Sequence, residues 1–412
     1  MQTGEGYDEF RRGWKIVLSS LLGIGLGLSP LPYYTLGVFA PHLTAAFGWP
    51  IDRIMFGLTV MTLMVLWAAP LTGLLAQKYG VRRIAITSII LFSLAFMSLG
   101  LMTNSLTHFY LTWALIAIVG AGTLPITFTR AVNGWFDRKR GFALGLSLMG
   151  TGIFGFFSKG LTAALIDAVG WRGAYVGLGL LPLLIALPAA LLLLRESPVV
   201  QAEGEAAAVH PGGLTLRQTL LDWRFWLMAI GFFIISFALG GIPPNLEKIL
   251  SDTGMPLSTV LGLTSLVGLS AIAGRVIGGW LVDAFWAPAI AFFMLAMPAI
   301  SCWLLAGSDL DTTNAAVAIL LVGFALGVEF DLMAFMLGRY FGLKSYTMSY
   351  AILYVFFSLG AGFGPWAFAS RYGIDGSYAP ALTLAAVALV LVAASFLLLG
   401  RYREFADEKA IT

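Results

Sequence analysis

The sequence predicts an all-α membrane protein: twelve transmembrane helices in two pseudo-symmetric six-helix bundles. Three observations predict it. Hydrophobic residues fill 59% of 412 positions and charged residues only 11%, where an ordinary soluble domain carries about 25% charged residues. A soluble fold of this size cannot hide that much apolar surface, so lipid supplies the missing cover. Apolar stretches of about 20 residues or more recur between short polar breaks, the length that crosses a bilayer core as a helix. Finally, the ends of these stretches repeat between the two halves of the chain.

The expected spans are 15–46, 53–77, 83–103, 107–135, 141–166, 172–194, 224–246, 256–282, 287–307, 313–337, 346–370 and 378–400. Before the first, Met1 to Trp14 is polar and mixed in charge, and the apolar run that follows is too long for the core of a signal peptide. Pro30 and Pro32 break the first span beside Tyr33 and Tyr34. Backbone freed at a broken membrane helix is tolerated where it lines a cavity, so both hydroxyls are candidate ligands. Gly73-Leu74-Leu75-Ala76-Gln77-Lys78 closes the second span, as Gly279-Trp280-Leu281-Val282-Asp283 closes the eighth. Trp135-Phe136 ends the fourth and Tyr340-Phe341 the tenth, giving a repeat at an offset of about 205 residues. Glycines at 145, 150, 152 and 155 in the fifth span, and at 274 and 278 in the eighth, read as sites of close helix packing.

The only long hydrophilic insert runs from Glu196 to Trp223. It divides the chain into an N-terminal bundle 1–195, a linker 196–223 and a C-terminal bundle 224–412. Lys and Arg set the orientation. Arg11, Arg12, Lys78, Arg82, Arg83, Arg138 to Arg140, Arg339, Lys344, Arg401 and Arg403 fall on one side, while Arg53, Arg172, Lys248 and Arg371 fall on the other. The rich side is cytoplasmic, so in the cell (inner) membrane both termini and the linker are expected to face the cytoplasm.

Ionisable groups within membrane helices cost about 2.5–3.5 kcal/mol each at mid-helix, so each needs a reason. Arg275 in the eighth span offers a permanently charged fork suited to a carboxylate; the plainer role is an ion pair with Glu329 or Asp331. Those two acids lie near the middle of the tenth span, about 200° apart around a helix, so they cannot both face one cavity. One is a candidate proton carrier or ion-pair partner. Arg130 and Asn133 sit near the inner end of the fourth span and Tyr354 in the eleventh, as further candidate ligands. Lys159, toward the outer end of the fifth span, is expected to snorkel to the interface. His42 is read as a lone interfacial histidine. The single cysteine, Cys302, lies in an apolar run and supplies neither a disulfide framework nor a metal cluster; no cofactor is expected.

Three segments resemble the major facilitator superfamily. Gly73 to Arg83 (GLLAQKYGVRR) is similar to its cytoplasmic signature between the second and third helices, which implies gating roles for Gly73, Lys78, Arg82 and Arg83, with Asp283 the matching acid of the second half. Gln77 stands where the signature has an acid. Tyr34 to Trp49 and Trp135 to Gly152, with Glu329 to Gly342 and Gly360 to Pro365, resemble the monocarboxylate and oxalate:formate antiporter branch. That resemblance implies that Arg275 binds the substrate carboxylate. It also marks departures: Ala271 replaces the proton-carrying acid one turn before this arginine, Tyr34 stands near the place of a first-helix lysine, and no basic residue precedes Arg371 in the eleventh span. A dianion clamped between Arg and Lys is therefore disfavoured.

The function expected is secondary active transport of a small organic anion, a carboxylate, by alternating access with proton coupling. Its partners are the bilayer, the anion and protons, with the chain acting as a monomer and without nucleic acid. Efflux of lipophilic or cationic compounds is the alternative. An enzyme is disfavoured because no P-loop, His-Glu-x-x-His pair or Gly-x-Ser-x-Gly elbow is found. A non-transporting sensor would need more soluble chain than this insert provides.

Overall fold

The computed structural model describes residues 4–133, 135–136, 140–195, 213–307, 310–342 and 344–403. The chain folds into two compact units, 1–206 and 207–412. Among the described residues there is no strand, only one isolated bridge between Gly213 and Gly342.

The first unit holds α1 (Gly4–Gly25), α2 (Pro30–Phe47), α3 (Ile51–Tyr79), α4 (Val81–Ser98), α5 (Leu106–Gly120), α6 (Pro125–Asn133), α7 (Arg140–Leu181) and α8 (Leu187–Leu193). The first crossing is α1 and α2 joined through a break at Leu26 to Ser29, just before the prolines, where Pro30 opens α2 at a position that needs no N–H donor. The fourth is α5 and α6, broken by a 3-10 turn at Ala121–Thr123. The two breaks meet: Leu28 N–H donates to Thr123 Oγ1 at 2.9 Å, so a freed backbone donor finds a buried acceptor.

Among the described residues, eleven helical runs are long and apolar enough to cross a membrane. One of them, Ala143–Leu193, has 51 residues, about 77 Å of helix against a hydrocarbon core of about 30 Å. Gly170 breaks it, with φ 73° and ψ 166°, a conformation open to a residue without Cβ. Two crossings result, and the twelve expected spans are recovered.

The second unit holds α9 (Leu216–Leu221), α10 (Trp223–Gly241), α11 (Leu246–Ser251), α12 (Leu257–Ala284), α13 (Ala287–Ala306), α14 (Thr312–Phe341), α15 (Tyr346–Asp375) and α16 (Ala379–Ser395). Here the break between α10 and α11 is bridged by buried Asn245. Its amide donates to Gly241 O at 2.8 Å and Pro365 O at 3.1 Å, and its Oδ1 accepts from the Tyr378 hydroxyl at 3.0 Å. Of the expected linker, residues 196–212 lie outside the described residues. The segment after them is docked: Leu214 N–H donates to Phe341 O at 2.8 Å and the Ser345 hydroxyl to Leu214 O at 2.9 Å. Asp222 caps α10 through Arg224 N–H and pairs with Arg403.

The internal repeat reaches side-chain detail. Trp135 Nε1 donates to Arg195 O at 3.2 Å, and the Tyr340 hydroxyl donates to Gly400 O at 2.5 Å, each reaching 60 residues along the chain. Each aromatic ties a turn to the end of its unit's last crossing.

Backbones approach closely where the glycines predict it. A Cβ on Gly150 would stand 2.1 Å from Leu21 O, and one on Gly327 would stand 2.0 Å from Ala271 O. Gly145 has nothing within 4 Å, so the close helix approach expected there is absent among the described residues. Gly327→Ala is expected to lower stability by about 1–3 kcal/mol through overpacking, read as a fall in the melting temperature of the solubilised protein. Gly145→Ala should stay within about 0.5 kcal/mol of wild type.

Candidate functional site

The site is built on the seam between α12 and α14. Added Cβ atoms would lie 2.0 Å from Phe324 O at Gly274, 1.7 Å from Val328 Cγ2 at Gly278, and 2.5 Å from Val267 O at Gly323. With Gly327 these positions recur every fourth residue on facing helix surfaces, so the backbones touch at Gly274 and Gly327, while Val328 packs onto Gly278 and Ser270 onto Gly323. This contact fixes the register in which Arg275 meets Asp331, with Nε 3.5 Å from Oδ2. The pair is only partly covered: the side chains are 21% and 34% exposed. An ion pair this open to solvent contributes little to stability. Charges left half exposed on a membrane helix belong on a wet face rather than against hydrocarbon.

Glu329, two residues before Asp331, lies elsewhere. It is 4% exposed, and its Oε2 has no hydrogen-bond partner among the described residues. The 200° separation therefore resolves into two environments, an ion-paired acid on the surface of the unit and a buried one inside it. Between them, Phe330 meets Tyr354 at 5.8 Å and 88°. Tyr350, not singled out from the sequence, also packs on Phe330, at 6.1 Å and 86°. Its signal was the four-residue spacing of Tyr346, Tyr350 and Tyr354.

In the first unit, Tyr33 and Tyr34 pack edge to face at 5.3 Å and 82°. Tyr34 also lies over Gly155, where an added Cβ would come within 2.7 Å of its ring; it fills the seam between α2 and α7. The structure corrects the expectation for Lys159. It does not snorkel: the residue is 0% exposed and ranks among the largest fully buried side chains. It lies one turn after Gly155, on the face of α7 turned toward α2 rather than toward the interface. The side chains of Arg130, Asn133 and Asp283 lie outside the described residues. Lys78 is exposed, 5.2 Å from the Tyr79 ring centre. Arg82 donates to Leu191 O at 2.6 Å, Arg83 is exposed, and His42 is exposed toward the C-terminal end of α2.

Arg275→Gln and Asp331→Asn, alone and combined, should give a coupling energy of about 0.5–1 kcal/mol in thermal unfolding, the range for a partly exposed pair.

The chain matches the Major Facilitator Superfamily over residues 22–365. Monocarboxylate transporter 13 of Bos taurus is 32% identical, over 69% of this chain and 64% of the relative, so the chain spans less than two thirds of that transporter's length. The 4-hydroxybenzoate transporter PcaK of Pseudomonas aeruginosa is 23% identical, over 94% of this chain and 92% of the relative. Among solved structures, a bacterial homolog of the human lysosomal transporter Spinster, inward-facing and occupied, aligns with a TM-score of 0.70 at 17% identity, over 95% of this chain and 97% of that one. At that identity the likeness speaks for the fold alone. The superfamily match and the helical architecture agree: the chain belongs to the Major Facilitator Superfamily, a multi-pass membrane transporter rather than an enzyme, resembling the monocarboxylate transporter branch.

Proposed function

We propose that the protein moves a small organic anion, a carboxylate, across the cell membrane by alternating access, coupled to protons. The observation that carries the reading is the Arg275–Asp331 pair, in which a partly exposed guanidinium meets the acid through Nε. That contact leaves the two terminal nitrogens as donors whose spacing matches a carboxylate. The names of two relatives, a monocarboxylate transporter and a 4-hydroxybenzoate transporter, support the same substrate class.

Asp331 supplies what α12 lacks. Ala271 occupies the position of the proton-carrying acid in the monocarboxylate branch, and Gly327 rests on its carbonyl oxygen. One turn beyond Gly327 on α14 comes Asp331, so the acid reaches Arg275 from the neighbouring helix. Protonation of Asp331 removes the counter-charge from the guanidinium, and an incoming carboxylate replaces it. Proton and anion then enter together with no net charge. Glu329 is the reserve carrier, buried without a hydrogen bond to Oε2 among the described residues. In this reading 1–195 and 224–412 act as two bundles, and the Lys and Arg distribution puts both termini on the cytoplasmic side. Lys78, Arg82, Arg83 and Asp283 would hold the gate on that side.

Purified protein should melt higher with carboxylates and not with neutral amides or lipophilic cations. Saturation at a hundredfold the dissociation constant adds about 2.7 kcal/mol, and Arg275→Gln should abolish the shift. Stabilisation by cations, or by carboxylates equally in both proteins, discards the site and brings drug efflux forward. In proteoliposomes, an inward proton gradient should drive substrate accumulation in the wild type. Asp331→Asn should lose the gradient's effect while retaining counterflow; accumulation indifferent to the gradient in the wild type sinks proton coupling.

A further inference from the structure

Beside Phe330, the residue before Asp331, α15 presents a feature that anion binding alone leaves unexplained. Tyr346, Tyr350 and Tyr354 stand at four-residue intervals and Phe357 follows, so the four share one helix face. Their rings form a column of near-parallel members: 5.7 Å and 19° between the first two, 6.4 Å and 14° between the next, and 6.0 Å and 18° to Phe357. Phe330, the residue before Asp331, stands nearly perpendicular to Tyr350, Tyr354 and Phe357, at 86°, 88° and 75°. All these rings remain partly exposed.

One member of the column is held by a hydrogen bond, from the Tyr346 hydroxyl to Ala334 O at 3.3 Å. Tyr350 is different. Its hydroxyl makes no hydrogen bond among the described residues, and its ring packs on Phe330, the residue before Asp331. A membrane helix places aromatics at the lipid interface for ordinary reasons. This column does not fit that use, because it runs about 17 Å along the helix axis and borders a charged pair that hydrocarbon would not tolerate.

Building on the carboxylate reading above, we infer that the substrate is an aromatic carboxylate. Its carboxylate engages Arg275 and accepts a hydrogen bond from the Tyr350 hydroxyl, while its ring packs against Phe330, Tyr350 and Tyr354. Edge-to-face and offset contacts between rings contribute beyond the area they bury. The column is preorganised by its own stacking, so a ring adds to it without ordering loose side chains.

The test compares benzoate with cyclohexanecarboxylate, which has the same charge and ring size without a π-face, and with benzamide, which keeps the ring without the charge. Affinities are read from ligand-induced melting shifts of the full-length protein. Wild type should bind benzoate about tenfold more tightly than cyclohexanecarboxylate. Tyr350→Leu should bring that ratio toward one. Tyr350→Phe should keep the ratio while weakening both acids alike, because it removes only the hydroxyl. Equal affinity for the two acids in wild type overturns the aromatic inference and leaves the carboxylate reading standing. Benzamide binding as well as benzoate, or no acid binding, overturns both. Should Tyr350→Leu fail to fold, Tyr354→Leu is judged on the same ratio, and an unchanged ratio there overturns the inference.

Discussion

The contact on which the C-terminal site depends is the bare approach of α12 and α14. Four glycines remove the side chains that would hold these helices apart; backbone atoms of the facing helix take the space at Gly274 and Gly327, and the small side chains of Val328 and Ser270 take it at Gly278 and Gly323. Membrane helices gain nothing from burying apolar groups against each other rather than against lipid, so close packing is what holds such a pair. The register of that packing sets every other feature of the site. It puts Asp331 opposite Arg275, turns Glu329 inward, and leaves Phe330 pointing at the aromatic face of α15.

A second constraint acts throughout both units. In lipid, a broken helix survives only if the backbone groups it frees are met from within the protein. The first unit meets this need with Thr123, a side-chain hydroxyl from one broken crossing serving the amide of another. The second uses Asn245, whose amide satisfies carbonyls on two helices while Tyr378 holds its oxygen. These buried polar residues carry no charge, so the cost of burying an ion does not mark them out along the sequence. Yet they stabilise the irregular backbone where Gly, Pro and short turns interrupt the crossings.

Lys159 illustrates how far a residue's depth along a helix is from its surroundings. Its place near one end of a span argues for an ammonium reaching the interface. Its position one turn from Gly155 instead puts it on the face where α7 meets α2, and it is fully buried. Snorkelling needs a route along a lipid-facing surface, and a face covered by another helix offers none. The same logic separates Gly145 from Gly150: they are a turn and a half apart on one helix, one looking onto open space and the other onto the backbone of α1.

The sequence by itself determined the solvent, the number of crossings, their order and the internal repeat, because these follow from length, polarity and period alone. Twelve apolar stretches needed twelve passes, and the break expected between 166 and 172 falls at Gly170, where the longest helical run turns. It also identified the few charges that lipid would not accept without cause, Arg275, Glu329 and Asp331 among them. Tertiary structure decided what those charges meet. Helical spacing showed that the two acids point apart, but only the packing of α12 on α14 selected Asp331 for the arginine and Glu329 for the interior. Tyr350 was passed over for a related reason: its four-residue spacing from Tyr346 and Tyr354 shows a shared face, but not that the face meets Phe330 beside the charged pair. Periodicity fixes which residues share a face; only the contact of two particular faces fixes what that face can bind.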